Sequence, residues 1–75
     1  VISLTAGFTT PDVNEAKVEA AAIESSREVY VLADHSKFDE VSSATFAGLG
    51  KAVIITDMIP NRKYKEAADI TEVGQ

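Results

Sequence analysis

Four consecutive polar residues, Asp34, His35, Ser36 and Lys37, follow the apolar run Val29 to Ala33, and a carboxylate, Asp57, follows a second apolar run, Ala52 to Thr56. Lysine is a compact positive charge suited to phosphate, and aspartate accepts hydrogen bonds from sugar hydroxyls, so the set suits a polyol that carries a phosphate. Gly7-Phe8-Thr9-Thr10, read as a turn leading into a helix, adds hydroxyls and free amides able to hold an anion. Each residue also has a purely structural use. Asp34 can cap the turn after a strand, Lys37 can be a solvated surface cation, and Thr9 and Thr10 can cap the helix. The coincidence of several such residues at one place is what favours a site.

Two sharper chemistries are set aside. A nucleophilic triad of Asp34, His35 and Ser36 fails on geometry, because neighbours in an extended chain point to opposite sides and cannot relay a proton in line. A metal site built from His35 with Asp39 or Glu40 lacks the spacing of zinc and calcium loops. His35 therefore reads as a bystander at the surface or in the crevice. Glu15 with Glu19 and Asp39 with Glu40 read as solvated faces, and Tyr30 and Phe46 as packing residues.

The elements that must position these residues follow from periodicity. Asp12, with Glu15 three residues on, has capping-box spacing, and Thr10 before Pro11 is an alternative start. Val13, Ala16, Ala20 and Ile23 recur at helical spacing, which predicts an amphipathic helix over residues 12 to 26. Val29 to Ala33 and Ala52 to Thr56 are continuously apolar, the pattern of parallel strands covered on both faces. VSSATFAGLGK is ambiguous, with Ala44 to Ala47 a candidate short strand and Gly48 and Gly50 marking a turn; NRKYKEAAD reads as a short helix with Asn61 a candidate cap, and ITEV is a candidate edge strand. Helix followed by apolar strand, twice over, means α/β, and ligands of open α/β sheets bind beyond the carboxyl ends of the strands. If the two apolar strands are parallel neighbours, Asp34, Lys37 and Asp57 lie on one rim.

Seventy-five residues make one small domain, and a chain of this size buries only about 60% of the surface its unfolded form exposes. A parallel sheet needs helices on both faces, yet only one long helix and one short helix are predicted, so part of the sheet should be uncovered. Either residues before Val1 or a second copy would supply the missing layer, and a start at Val1 inside an apolar run predicts a fragment. There is no cysteine, which excludes disulfides and thiolate chemistry, and no signal-peptide or membrane-length apolar segment. The net charge of −5 disfavours this segment as a nucleic-acid surface, since phosphate contacts need clustered Lys and Arg.

Several of these residues form a pattern. GFTT, Glu15-Ala16, Ile23, V-x-V-L-A-D-x-S-K-F over Val29 to Phe38 and I-I-T-D over Ile54 to Asp57 resemble the C-terminal effector domain of DeoR-type bacterial transcriptional repressors. The similarity runs from Gly7 to Asp57 and thins afterwards. What it implies is a partial Rossmann-like parallel sheet with flanking helices, related in fold to ribose-5-phosphate isomerase, that binds a phosphorylated sugar. An N-terminal winged helix-turn-helix, with the front part of the effector domain and its phosphate-holding loop, is expected outside this chain. Carried over, Asp34 and Lys37 are the ligand-contacting pair, with Gly7 and Thr9 on an adjoining loop and Asp57 beside them. Where many members of the family have glycine after Lys-Phe, this chain has Asp39, a departure at the crevice that could alter ligand choice.

The leading reading is thus a regulatory binding module: the C-terminal part of a sugar-phosphate-responsive repressor, cytoplasmic and homo-oligomeric, with no catalytic residue, metal or cofactor and with DNA bound only through the N-terminal domain. Two alternatives stand beside it, a sugar-phosphate isomerase-like enzyme and a purely oligomerising domain. An enzyme needs an acid and a base within reach of the substrate carbons, and Asp34 is the only candidate base.

Overall fold

A computed structural model describes residues 1–74. The chain runs β1 (Ile2–Ser3), β2 (Gly7–Thr10), α1 (Val13–Ser25), β3 (Tyr30–Leu32), β4 (Ala44–Ala47), β5 (Val53–Thr56), α2 (Lys63–Ala67) and β6 (Asp69–Glu72). The fold is mixed α/β, as the alternation of helix and apolar strand implies. Its strands form two three-stranded sheets, ordered β1-β2-β4 and β3-β5-β6, rather than a single partial parallel sheet.

The β3-β5-β6 sheet is parallel throughout, with Val31 opposite Ile54 and Ile54 opposite Ile70. The two continuous apolar runs are therefore parallel neighbours, and ITEV supplies the edge. α2 lies between β5 and β6 in sequence, within the crossover that parallel strands require. The helix is capped by Arg62 and not by Asn61, which stands one residue earlier and whose side-chain Oδ1 accepts from Lys63 N at 2.9 Å. Only one face of the sheet is sealed. Ile54 is fully buried on the inner side, whereas Tyr30 and Leu32, pointing the other way, are 58% and 79% exposed. Tyr30, expected to pack, stands on this open face, because no helix among the described residues covers it.

The second sheet is antiparallel and overturns one local expectation. GFTT is not a turn but strand β2, paired with β1 on one side and β4 on the other. Gly7 permits this: its φ is +73° and a Cβ there would stand 2.5 Å from the Ala47 carbonyl oxygen. Between Phe8 and Thr9 the register shifts, because Phe8 opposes Ala47 and Thr9 opposes Thr45, leaving Phe46 as the extra residue of a bulge. Phe46 stacks on Phe8 with ring centroids 5.8 Å apart.

α1 begins where the sequence places it. The Asp12 carboxylate accepts from Asn14 N at 2.8 Å and Glu15 N at 3.3 Å, which settles the start on Asp12 rather than Thr10. The helix packs against β2 and β4, not on the parallel sheet as a flanking layer. Of its predicted apolar stripe only Ala16 is buried, Ala20 and Ile23 are partly buried, and Val13 is 54% exposed. One core joins the two sheets through Ile2, Phe8, Phe38, Leu49, Ala52, Ile54 and Tyr64.

Candidate functional site

β3 ends at Leu32, and the chain turns through one short 3-10 turn, His35–Lys37, directly beyond it. Asp34 starts this turn: its Oδ1 accepts from Ser36 N at 2.9 Å and also from the Ser36 hydroxyl. The D-x-S spacing is a local Asx-type turn, legible in sequence once the strand end is known. Oδ2 of Asp34 has no hydrogen-bond partner among the described residues. The two Ser36 hydrogen bonds, with Lys37 nearby, hold the Asp34 carboxyl below the usual aspartate value.

Asp57 follows β5 and reaches across to the same turn. Its Oδ1 accepts from His35 N at 2.8 Å, and its Oδ2 lies 2.9 Å from His35 Nδ1. The hydrogen bond from the His35 ring is the leading reason that the Asp57 carboxyl is also held below the usual range. Asp34, His35, Lys37 and Asp57 thus converge at the carboxyl ends of two parallel strands. All four are exposed, so this is an open rim and not a closed cavity.

Gly7 and Thr9 stand elsewhere. Both are buried within β2, and Thr9 is 1% exposed. The Thr9 hydroxyl oxygen accepts from Ser42 N at 2.9 Å, and its backbone exchanges hydrogen bonds with Val1 at 2.8 and 2.6 Å. The amides of GFTT are consumed by strand pairing, which is why they are not the free donors that a turn would present.

Behind the rim is a buried support that sequence reasoning missed. Phe38, next after the turn, is buried and meets Tyr64 of α2 edge to face at 4.9 Å. The Tyr64 hydroxyl donates to Asp39 Oδ1 at 2.7 Å and accepts from Asp39 N at 3.2 Å. Burial, with the hydrogen bond to Asp39, pushes the Tyr64 phenol up to about 12. Asp39 has φ +61°, the left-handed region that favours glycine. One oxygen of its carboxylate, Oδ1, is engaged by the buried Tyr64 hydroxyl. No local pattern around Asp39 signals a partner so distant in the chain.

A cavity of about 560 Å³ lies at the other end of the strands, where Ile23, Arg27, Val29, Phe46 and Lys51 line it. None of the five sequence-derived site residues borders it. It is the groove left between the last turn of α1 and the segments that enter β3 and β5, and it gathers no hydrogen-bonded polar cluster such as the rim has. Among the described residues no group of acidic and histidine side chains could hold a metal ion. No helix among them is long and apolar enough to cross a membrane.

Comparison with known proteins adds an independent line. Residues 1–58 match the family described as the DeoR C terminal sensor domain. An uncharacterized HTH-type transcriptional regulator, FruR of Bacillus subtilis, is 57% identical over 51 residues, which is 68% of this chain and 20% of that protein. The HTH-type transcriptional regulator IolR of the same organism is 32% identical over 73 residues, 96% of this chain and 29% of its own length. The chain thus spans between a fifth and three tenths of the curated relatives it matches. No solved structure matches it.

Proposed function

Because the chain belongs to the DeoR C-terminal sensor domain family, we propose that it is the effector-sensing part of a transcriptional regulator of sugar metabolism, and that a phosphorylated sugar binds at its Asp34–Lys37–Asp57 rim. The observation that carries this reading is the convergence of those groups beyond the carboxyl ends of β3 and β5, where open α/β sheets receive ligands. Lys37 supplies charge for the phosphate, and the unoccupied Oδ2 of Asp34 is an acceptor for a sugar hydroxyl. Gly7 and Thr9 act here through the fold, by building the β2 strand behind the site.

The remaining parts of the reading rest on the relatives. Both are HTH-type regulators by name and several times longer than this chain. DNA binding accordingly belongs to a winged helix-turn-helix outside these residues, in keeping with a net charge of −5. The open face around Tyr30 and Leu32 is then covered by the rest of an isomerase-like domain or by a second copy. An isomerase reaction at this rim is disfavoured on chemical grounds. A general base for sugar isomerisation works best with a pKa near the operating pH, and the hydrogen bonds at Asp34 and Asp57 shift both carboxyls the opposite way.

The test is a panel of sugar phosphates screened by thermal shift on the intact protein. A true effector stabilises it progressively, by about 2.7 kcal/mol at a hundredfold excess over Kd. If no member of the panel protects the protein, the sensing role loses its main support.

A further inference from the structure

We propose that His35 is a ligand-facing residue of this rim, gripped by Asp57 so that its outer ring nitrogen, Nε2, accepts a hydrogen bond from a hydroxyl of the bound sugar. The inference rests on the sensing role proposed above and adds to it a residue, an atom and a hydrogen-bond direction. It starts from the grip itself. One carboxylate holds both the backbone nitrogen and the ring of the same histidine, at 2.8 and 2.9 Å, across 22 positions of sequence.

The direction of the ring hydrogen bond follows from the acceptor. An ionised carboxylate only accepts, so Nδ1 must carry the proton, and in the neutral imidazole Nε2 then carries the lone pair. Asp57 is itself well seated: it follows the buried Thr56, whose hydroxyl lies 3.3 Å from Asp57 Oδ1. The ring therefore has a defined tautomer and a defined anchor. Its Nε2 edge is the one turned away from Asp57, on a side chain that is 51% exposed.

This arrangement divides the rim by chemistry. His35 Nε2 and Asp34 Oδ2 are two acceptors with no partner among the described residues, suited to donor hydroxyls, while Lys37 is the cation suited to the anionic group. The ligand class that meets both demands is a polyhydroxylated anion whose hydroxyls and charge lie at different ends. A histidine kept only to clip the two strand ends together would need Nδ1 and the backbone amide, and its Nε2 would be idle.

Substitutions separate the two roles. His35→Asn places an amide donor near the position of Nδ1 and so can keep the clip while removing Nε2. Binding is measured by calorimetry on the intact protein with glucose 6-phosphate, fructose 6-phosphate, ribose 5-phosphate and glycerol 3-phosphate, with inorganic phosphate carrying the charge without the sugar hydroxyls. For whichever sugar phosphate the unaltered protein binds, His35→Asn should weaken binding about tenfold, the loss of one hydrogen bond, and leave inorganic phosphate nearly unaffected. Unchanged sugar-phosphate affinity, or an equal loss for inorganic phosphate, overturns the assignment to His35 alone. If the unaltered protein binds none of the panel, the sensing role falls and this inference falls with it. A second measurement needs no variant. Nitrogen-15 NMR of the neutral His35 ring should show the proton on Nδ1, and a proton on Nε2 would overturn the proposal whatever the variant does.

Discussion

The Tyr64 hydroxyl and Asp39 bind each other twice, the phenol donating to the carboxylate at 2.7 Å and accepting from the backbone amide at 3.2 Å across 25 positions of sequence. This pair fastens α2 to the segment that leaves the rim turn, and Phe38 packs on the same ring. Tyr64→Phe keeps the packing and removes both hydrogen bonds. It is expected to cost about 1–3 kcal/mol, because two hydrogen bonds are lost at about 0.5–1.5 kcal/mol each. Urea unfolding monitored by circular dichroism checks the value, and an unchanged midpoint would show that water replaces the hydroxyl without loss.

Asp39 itself separates backbone strain from hydrogen bonding. At φ +61° a residue with a Cβ pays about 1–2 kcal/mol that glycine does not. Asp39→Ala loses the hydrogen bond and keeps the strain, whereas Asp39→Gly loses the bond and relieves the strain. The glycine variant should therefore be the more stable of the two by about 1 kcal/mol. Paired denaturation curves decide it, and equal stabilities would refute the strain argument.

Gly7 offers a steric test of the antiparallel sheet. An alanine Cβ would lie 2.5 Å from the Ala47 carbonyl oxygen at a φ of +73°, so the β2–β4 ladder must shift to admit it. Gly7→Ala should destabilise the protein by about 2 kcal/mol or more. Since Gly7 is buried away from the rim, effector affinity measured below the melting transition should change little.

Stability should fall at both ends of the pH scale, for different residues. The Tyr64 phenol is raised from 10.0 to about 12, so the folded protein favours its neutral form more than the unfolded chain does. That contribution is complete below pH 10 and is lost as pH rises through 12, and Tyr64→Phe should flatten the alkaline loss. Asp34 and Asp57 are shifted the other way, below 3.8, so their contribution is present above that value and is lost as pH falls beneath it. Asp57→Asn should reduce the acid loss. Melting temperature measured against pH for the parent and the two variants tests both signs.

If the proposed function holds, Lys37 supplies the charge for the phosphate, and its removal should separate sensing from DNA binding. Lys37→Ala in the intact regulator is expected to bind operator normally and to need at least about tenfold more effector for release, the effect of losing one charged contact. A gel-shift titration with effector reads both quantities. Release at the parent's effector concentration would remove Lys37 from the site.

Much of this protein is written locally in its chain. The capping Asp12, the apolar runs that become β3 and β5 and the polar strand ends at Asp34 and Asp57 are all set by neighbouring residues, through periodicity and turn chemistry. That is why the α/β class, the parallel pairing and the rim could be read without coordinates. The tertiary structure decided the rest. GFTT has the composition of a turn, yet it became a strand because β1 and β4 flank it and a glycine tolerates the close approach to Ala47. The clip of His35 by Asp57, the burial of the Thr9 hydroxyl against Ser42 and the Tyr64–Asp39 pair join residues 22, 33 and 25 positions apart. Such pairs leave no periodic trace, because their geometry exists only after the chain has closed the loops between them. The sequence alone thus determined where polar groups gather, and the packed fold determined which of them hold one another and which keep an atom turned outward.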